Sequence, residues 1–108
     1  GDLVSDLCAG LAGGLGVVPS ASFGDDLAVF EAIYEDAPGL AARDTANPMT
    51  LLVSALALLR HVGLAAEADR ISTAVSAVLT EGTRVTRDLG GTAGTREMAD
   101  AIIARLGR

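Results

Sequence analysis

Leucines recur at every fourth position at the start of the chain (Leu3, Leu7, Leu11 and Leu15), the spacing of one stripe along a helix over residues 3–16. Ser5 or Asp6 is the candidate N-cap, and Gly13, Gly14 and Gly16 loosen the helix end or permit close packing there. Pro19 marks a break, and SASFGDD follows as a short strand or loop. LAVFEAIY, residues 27–34, is apolar, partly β-branched and flanked by acidic residues, the pattern of a strand. From Glu35 to Asn47 the chain is polar and irregular.

Asn47-Pro48 then opens the strongest helix signal, with Asn47 suited to the N-cap and Pro48 to the first helical position. The run MTLLVSALALLRHVG is apolar nearly all round, which predicts a central, buried helix that Gly63 stops. Residues 65–81 place Ala68, Ile71, Val75, Val78 and Leu79 on one face, with Glu67, Asp69 and Arg70 mainly on the other. This is the mark of an amphipathic surface helix, ended by Gly82. TRVTRDLGGTAGT reads as a polar connector with a possible short strand. A last helix starts near Thr95 and Met98, with Ile102, Ile103 and Leu106 among its apolar positions. No repeat interrupts this order, and 108 residues hold one domain, 1–108.

Composition narrows the chemistry. Half the residues are hydrophobic but only 3% are aromatic, so the core must be built from small aliphatic side chains. A net charge of -6 repels phosphate backbones and speaks against nucleic acid. All eight basic residues are arginine, so the chain holds no lysine base, Schiff-base lysine or Walker-type phosphate lysine. The single cysteine, Cys8, forms no internal disulfide and reads as a small apolar residue packed in a helix. No apolar run reaches the roughly 18 residues of a membrane span. The N-terminus lacks a basic signal-peptide region, so the expected compartment is the cytoplasm.

Several candidate sites have plain structural readings. His61, near the end of the long helix, is expected to cap it or to pack against a neighbour. GGLG lacks the spacing of a dinucleotide fingerprint, and Gly24-Asp25-Asp26 reads as a turn. Asp2 and Asp6, four residues apart, share one side of a helical turn and suit a hard cation such as Mg²⁺ or Mn²⁺. From spacing alone the signal is weak, since such pairs are usually solvated caps or surface charge.

The stretch GDLVSDLCAGLAGGLGVVPSASFGDDLAVFEA resembles a signature of the NAD(P)-dependent isocitrate and isopropylmalate dehydrogenases. The likeness continues through APGLAARDTANP, LLVSALALLRHVGLAAEADRI and TRDLGGTAGTREMADAIIARL, and so covers essentially the whole chain. GGLG, RHVGLAAEADRI and VTRDLGG resemble the NAD-type isocitrate dehydrogenases more than the isopropylmalate enzymes. The resemblance implies an α/β fold: the helix-rich C-terminal portion of the family's large domain, about four helices with one or two short strands. It also implies oxidation of a 2-hydroxy acid with loss of its β-carboxylate, aided by a divalent cation.

By the same resemblance, Asp2 and Asp6 match the two aspartates that bind Mn²⁺ or Mg²⁺ beside the substrate. Residues 34–48, Y-E-D-A-P-G-L-A-A-R-D-T-A-N-P, match the family pattern H-G-S-A-P-D-I-A-G-K-x-I-A-N-P, which holds the adenosine half of the cofactor. The implied cofactor-binding residues are Tyr34, Ala37, Pro38, Gly39, Leu40 and Asn47, with Asn47 at the asparagine that hydrogen-bonds adenine. Departures matter here. Tyr34 replaces a histidine, Glu35 and Asp36 bring negative charge towards an anionic cofactor, and Gly39 stands where NAD-using members carry a ribose-binding aspartate. NADP is disfavoured, since neither Gly39 nor TRDLGG supplies the basic and tyrosine groups that grip a 2′-phosphate. Two readings of the loop stay open: an NAD site, or a degenerate structural loop.

In the family, the groups that clamp the substrate carboxylates and the catalytic tyrosine and lysine precede the segment matched by Gly1. The resemblance thus implies no catalytic residue here, inactivity alone, and a partner: a complementary dehydrogenase segment or subunit, or a homo-oligomer. The alternative is a truncated, non-catalytic relative acting as a binding, regulatory or oligomerisation module.

Overall fold

The structure, a computed structural model, describes residues 2–33 and 43–107. Four helices and one hairpin follow in chain order: α1 (Asp2–Ala12), β1 (Ser20–Phe23), β2 (Ala28–Glu31), α2 (Met49–His61), α3 (Ala65–Glu81) and α4 (Thr95–Leu106). Short 3-10 turns lie at Leu15–Val17 and Arg87–Leu89. This is the expected four-helix α/β architecture, with the strands paired as a hairpin.

The first helix starts at Asp2, a residue earlier than the leucine stripe, so Ser5 and Asp6 lie inside it rather than capping it. The Ser5 hydroxyl instead donates to the Asp2 carbonyl at 3.0 Å. Gly13 and Gly14 stop it at φ 122° and 110°, and the Gly14 N–H donates to the Ala9 carbonyl at 2.8 Å. Side chains resist those angles, which is why glycine stands there. The antiparallel hairpin pairs Ser20 with Glu31 and Phe23 with Ala28 across a turn closed by Gly24 N–H to the Leu27 carbonyl. Of the strand expected over 27–34, Tyr34 lies outside the described residues, and among the rest only Ala28–Glu31 face a partner strand.

Asn47 caps the second helix as expected. Pro48 is already helical at φ -76°, and the Asn47 Oδ1 accepts the Met49 N–H at 2.8 Å. The third helix spans the expected residues and ends on Gly82 in the left-handed region, with its N–H on the Val78 carbonyl. No strand forms in the 83–94 connector. Val85 and Thr86 are buried there, and Gly91 passes so close to Val85 that an added Cβ would sit 2.1 Å from its carbonyl oxygen.

The core sits among α2, α3 and α4: Met49, Val75, Val78, Val85, Met98 and Ile102 form one cluster, with Leu52, Ile71 and Leu106 against it. Small residues such as Ala74 and Ala101 let these helices approach closely in place of aromatic bulk. The second helix is not buried all round, however. Leu51 and Leu58 face outward: among the described elements α3 covers one side, and the small hairpin and the Leu15–Val17 turn cover the other only in part. That second contact is polar. Ser54 Oγ, buried on α2, accepts the Ser20 N–H at 3.1 Å and donates to the Glu31 carbonyl at 2.6 Å, so one hydroxyl holds both strands. The Thr50 hydroxyl likewise donates to the Gly16 carbonyl at 3.0 Å. Among the described residues α1 packs only on the adjoining 3-10 turn.

Candidate functional site

The carboxylates of Asp2 and Asp6 lie one turn apart on α1, the arrangement their spacing predicts. Both are exposed and face a groove of about 880 Å³ between α1 and the hairpin, lined also by Ser5, Cys8, Ser20 and Glu31. Cys8 is therefore exposed on the groove rather than packed in a core, since no described element covers that face of α1. The donor chemistry fits a hard divalent cation: two carboxylates on a solvent-facing rim, neither held in an ion pair among the described residues. The set stops at two. Among the described residues no three histidine, cysteine or acidic side chains converge on one point. A third carboxylate, imidazole or thiolate ligand would have to come from outside the described residues.

The second candidate region is the return of the chain into α2. Tyr34, Ala37, Pro38, Gly39 and Leu40 lie outside the described residues; Asn47 lies within them. Its amide is held at both ends, Oδ1 by the Met49 N–H and Nδ2 by donating to Asp88 Oδ2 at 2.7 Å. Burial pushes the Asp88 carboxyl up. Hydrogen bonds from the Thr86 side chain, the Asn47 amide and the backbone N–H groups of Asp88 and Leu89 outweigh it and hold the group below its ordinary value. The Asn47 side chain is thus fixed against a carboxylate that stays ionised at neutral pH.

Sequence reasoning misses two members of this region. Asp44 has φ 52°, and its carbonyl and Oδ1 accept the N–H groups of Thr95 and Arg96 at 2.9 and 3.0 Å. Asp88 reads in the sequence only as part of a connector. Partners 41 and 52 residues away leave no local trace in a single sequence. A short polar residue before T-A-N-P, of a type that tolerates φ > 0, is the one available signal at Asp44.

His61 packs as one of its two expected roles, its ring 5.4 Å from Phe23 and 5.5 Å from Phe30, so it pins the hairpin to the end of α2. Asp25 and Asp26 occupy the hairpin turn. No described helix is long and apolar enough to cross a membrane.

Comparison with known proteins adds a frame to this geometry. The sequence profile described as isocitrate/isopropylmalate dehydrogenase matches residues 1–102. The alpha subunit of the mitochondrial isocitrate dehydrogenase (NAD) of Sus scrofa is 47% identical over 107 residues, covering 98% of this chain and 29% of its own length. A regulatory subunit of the mitochondrial isocitrate dehydrogenase (NAD) of Dictyostelium discoideum is 46% identical, with 98% and 30% covered. The crystal structure of isocitrate dehydrogenase from Methylococcus capsulatus superposes with a TM-score of 0.89 at 41% identity, covering 99% of this chain and 32% of that one. The chain thus spans about a third or less of the length of the proteins it matches.

Proposed function

The chain belongs to the isocitrate/isopropylmalate dehydrogenase family, and from that premise we propose that it is the C-terminal portion of an NAD-dependent, Mg²⁺- or Mn²⁺-dependent oxidative decarboxylase of an isocitrate-like 2-hydroxy acid. The observation that carries this reading is the retention of Asp2 and Asp6 on the groove rim within a match spanning residues 1–102. Asp2 and Asp6 would hold the cation. Bound there, a divalent cation supplies Lewis-acid polarisation of substrate oxygens. The chain's own part is to place two negative charges one turn apart and to leave that face of α1 open to a substrate.

Asn47, oriented by Asp88 and Met49, offers an amide edge to an adenine ring, and the segment 34–42 would supply the ribose contacts. With Gly39 in place of an acidic or basic residue, selection of NAD over NADP rests on the absence of cationic groups for a 2′-phosphate. Chemistry also needs cationic clamps for the substrate carboxylates, a base for the hydroxyl proton and an acid for the carbon left by decarboxylation. These residues contain no lysine and a single tyrosine, in the cofactor segment. Catalysis therefore requires a complementary dehydrogenase segment or subunit. The exposed leucines of α1, beside the carboxylate pair, are the surface it would cover. Self-association into a homo-oligomer through the same face is the other expected use.

A regulatory, non-catalytic module is the second reading, favoured by the likeness to a relative named for a regulatory role and by Tyr34, Glu35 and Asp36 in the cofactor segment. One assay separates the two: NAD reduction with isocitrate and Mn²⁺, by the 108-residue chain alone and with the complementary family segment added. The first reading predicts no turnover alone, turnover on complementation, and its abolition by Asp2→Asn. A complemented assembly indifferent to Asp2→Asn would favour the regulatory reading.

A further inference from the structure

The segment that ends the candidate cofactor loop is fastened to the N-terminus of the last helix through one residue. Asp44 stands at φ 52°, a conformation that an aspartate tolerates and most side chains resist. In that conformation its carbonyl accepts the Thr95 N–H at 2.9 Å and its Oδ1 accepts the Arg96 N–H at 3.0 Å. Two donors of the first turn of α4, which have no partner within their own helix, are thereby satisfied from 51 and 52 residues away. The Thr95 hydroxyl returns the contact by donating to the Ala46 carbonyl. Gly94 completes the fit. A Cβ there would lie 2.6 Å from Asp44 Oδ2 and 2.8 Å from its carbonyl oxygen, so only glycine leaves room for the aspartate.

Three residues further on, Asn47 is held by Asp88 and Met49. Residues 44–47 therefore form a short strap with both ends tied to the C-terminal half of the chain. The tie at the Asp44 end is charge-assisted and aligned with the positive end of the α4 dipole.

We infer that Asp44 is a positioning residue for the dinucleotide: by clamping the strap to α4 it fixes where Asn47 meets the adenine ring. The inference rests on the proposed role of Asn47 as an adenine contact. Asp44 itself touches no cofactor; it acts through the backbone that carries Asn47. Losing the clamp lets the strap shift, which weakens binding of the adenosine half and leaves the chemical step and the hydroxy-acid site unaltered.

The test uses the complete natural polypeptide, with steady-state kinetics in NAD and isocitrate and equilibrium binding of AMP as the adenosine-half probe. Asp44→Asn keeps the Oδ1 acceptor and tolerance of φ 52° but loses the charge, and is expected to weaken NAD and AMP binding clearly less than Asp44→Ala. Asp44→Ala loses both and is expected to raise the NAD KM and the AMP Kd about tenfold, the equivalent of one charge-assisted hydrogen bond, with kcat and the isocitrate KM unchanged. Asp44→Gly removes the acceptor without straining the backbone, so it reads the same loss even where the alanine variant fails to fold; it is expected to weaken NAD as well. A purely structural role would lower thermal stability without separating the KM for NAD from that for isocitrate. Parent-like NAD and AMP binding in both Asp44→Ala and Asp44→Gly overturns this inference alone, as does equal weakening in Asp44→Asn. A parent that binds neither NAD nor AMP overturns it together with the reading of Asn47.

Discussion

The two halves of the chain are built on different physics. From Met49 to Leu106 three helices bury a continuous aliphatic cluster in which Met98 is fully inaccessible. From Asp2 to Glu31 only Ala9 is buried, and Leu3 and Leu11 stand 86% and 84% exposed on a helix whose one contact with another element, among the described residues, is the neighbouring 3-10 turn. The halves meet through hydroxyls, Thr50 on Gly16 and Ser54 on Ser20 and Glu31, with the Phe23–Phe30–His61 rings at one end. Apolar burial at about 25 cal/mol per Å² makes the C-terminal half the source of stability. The N-terminal half carries the charged pair and apolar surface that no described element covers. The half that is stable and the half that presents the metal candidates are therefore separate, joined by a polar seam.

Substitutions sharpen that contrast. Met98→Ala empties the centre of the cluster and should cost about 2–5 kcal/mol in chemical denaturation, the largest effect expected of these changes. Ser54→Ala should cost about 1–3 kcal/mol, because the Ser20 N–H and the Glu31 carbonyl lose their shared partner. Its distinguishing sign is local: chemical-shift changes concentrated in β1 and β2, with α3 and α4 undisturbed. Were the shifts to spread through α4, the seam would be part of the core instead.

Asp88 gives a smaller, pH-dependent contribution. Its carboxyl lies below its ordinary value in the folded state, so between the folded and unfolded values the unfolded chain binds more protons and stability rises with pH. This contribution is fully present above the unfolded value and is lost as pH falls through the folded one. Asp88→Asn should flatten that part of the acid limb in a pH series of thermal melts, and a limb of unchanged slope would contradict the hydrogen-bond assignment. Smallest of all, replacing Leu3, Leu7 and Leu11 singly by Gln should alter stability by no more than about 0.5 kcal/mol. It should, however, reduce self-association in sedimentation, since those side chains form the uncovered face.

The same division governs what is legible in the sequence. Elements whose stop signals are local come through: α3 from Ala65 to Gly82, the Asn47 cap, and the start of α4 at Thr95. The leucine period places α1 correctly, but a period says nothing about whether a partner is present. The burial that apolar patterning suggests for Cys8 and for the whole α2 surface is therefore not found. The connector reads as a possible strand; Gly91 crossing Val85 gives it a tight loop instead. At the candidate site, Asp2, Asp6 and Asn47 are visible because motif and spacing are local properties. Asp44 and Asp88 act only through partners folded back from tens of residues away, so their roles emerge with the tertiary structure.

The claim that the N-terminal half awaits a cover is tested most directly by amide hydrogen exchange on the 108-residue chain, alone and with the complementary family segment. Alone, α1 should exchange at close to unprotected rates while α2 to α4 exchange slowly. On complementation, protection should rise across α1 and change little in α4. Protection of α1 equal to that of α4 in the isolated chain would contradict the account, because α1 would then be stable without the cover that the dehydrogenase assembly is proposed to provide.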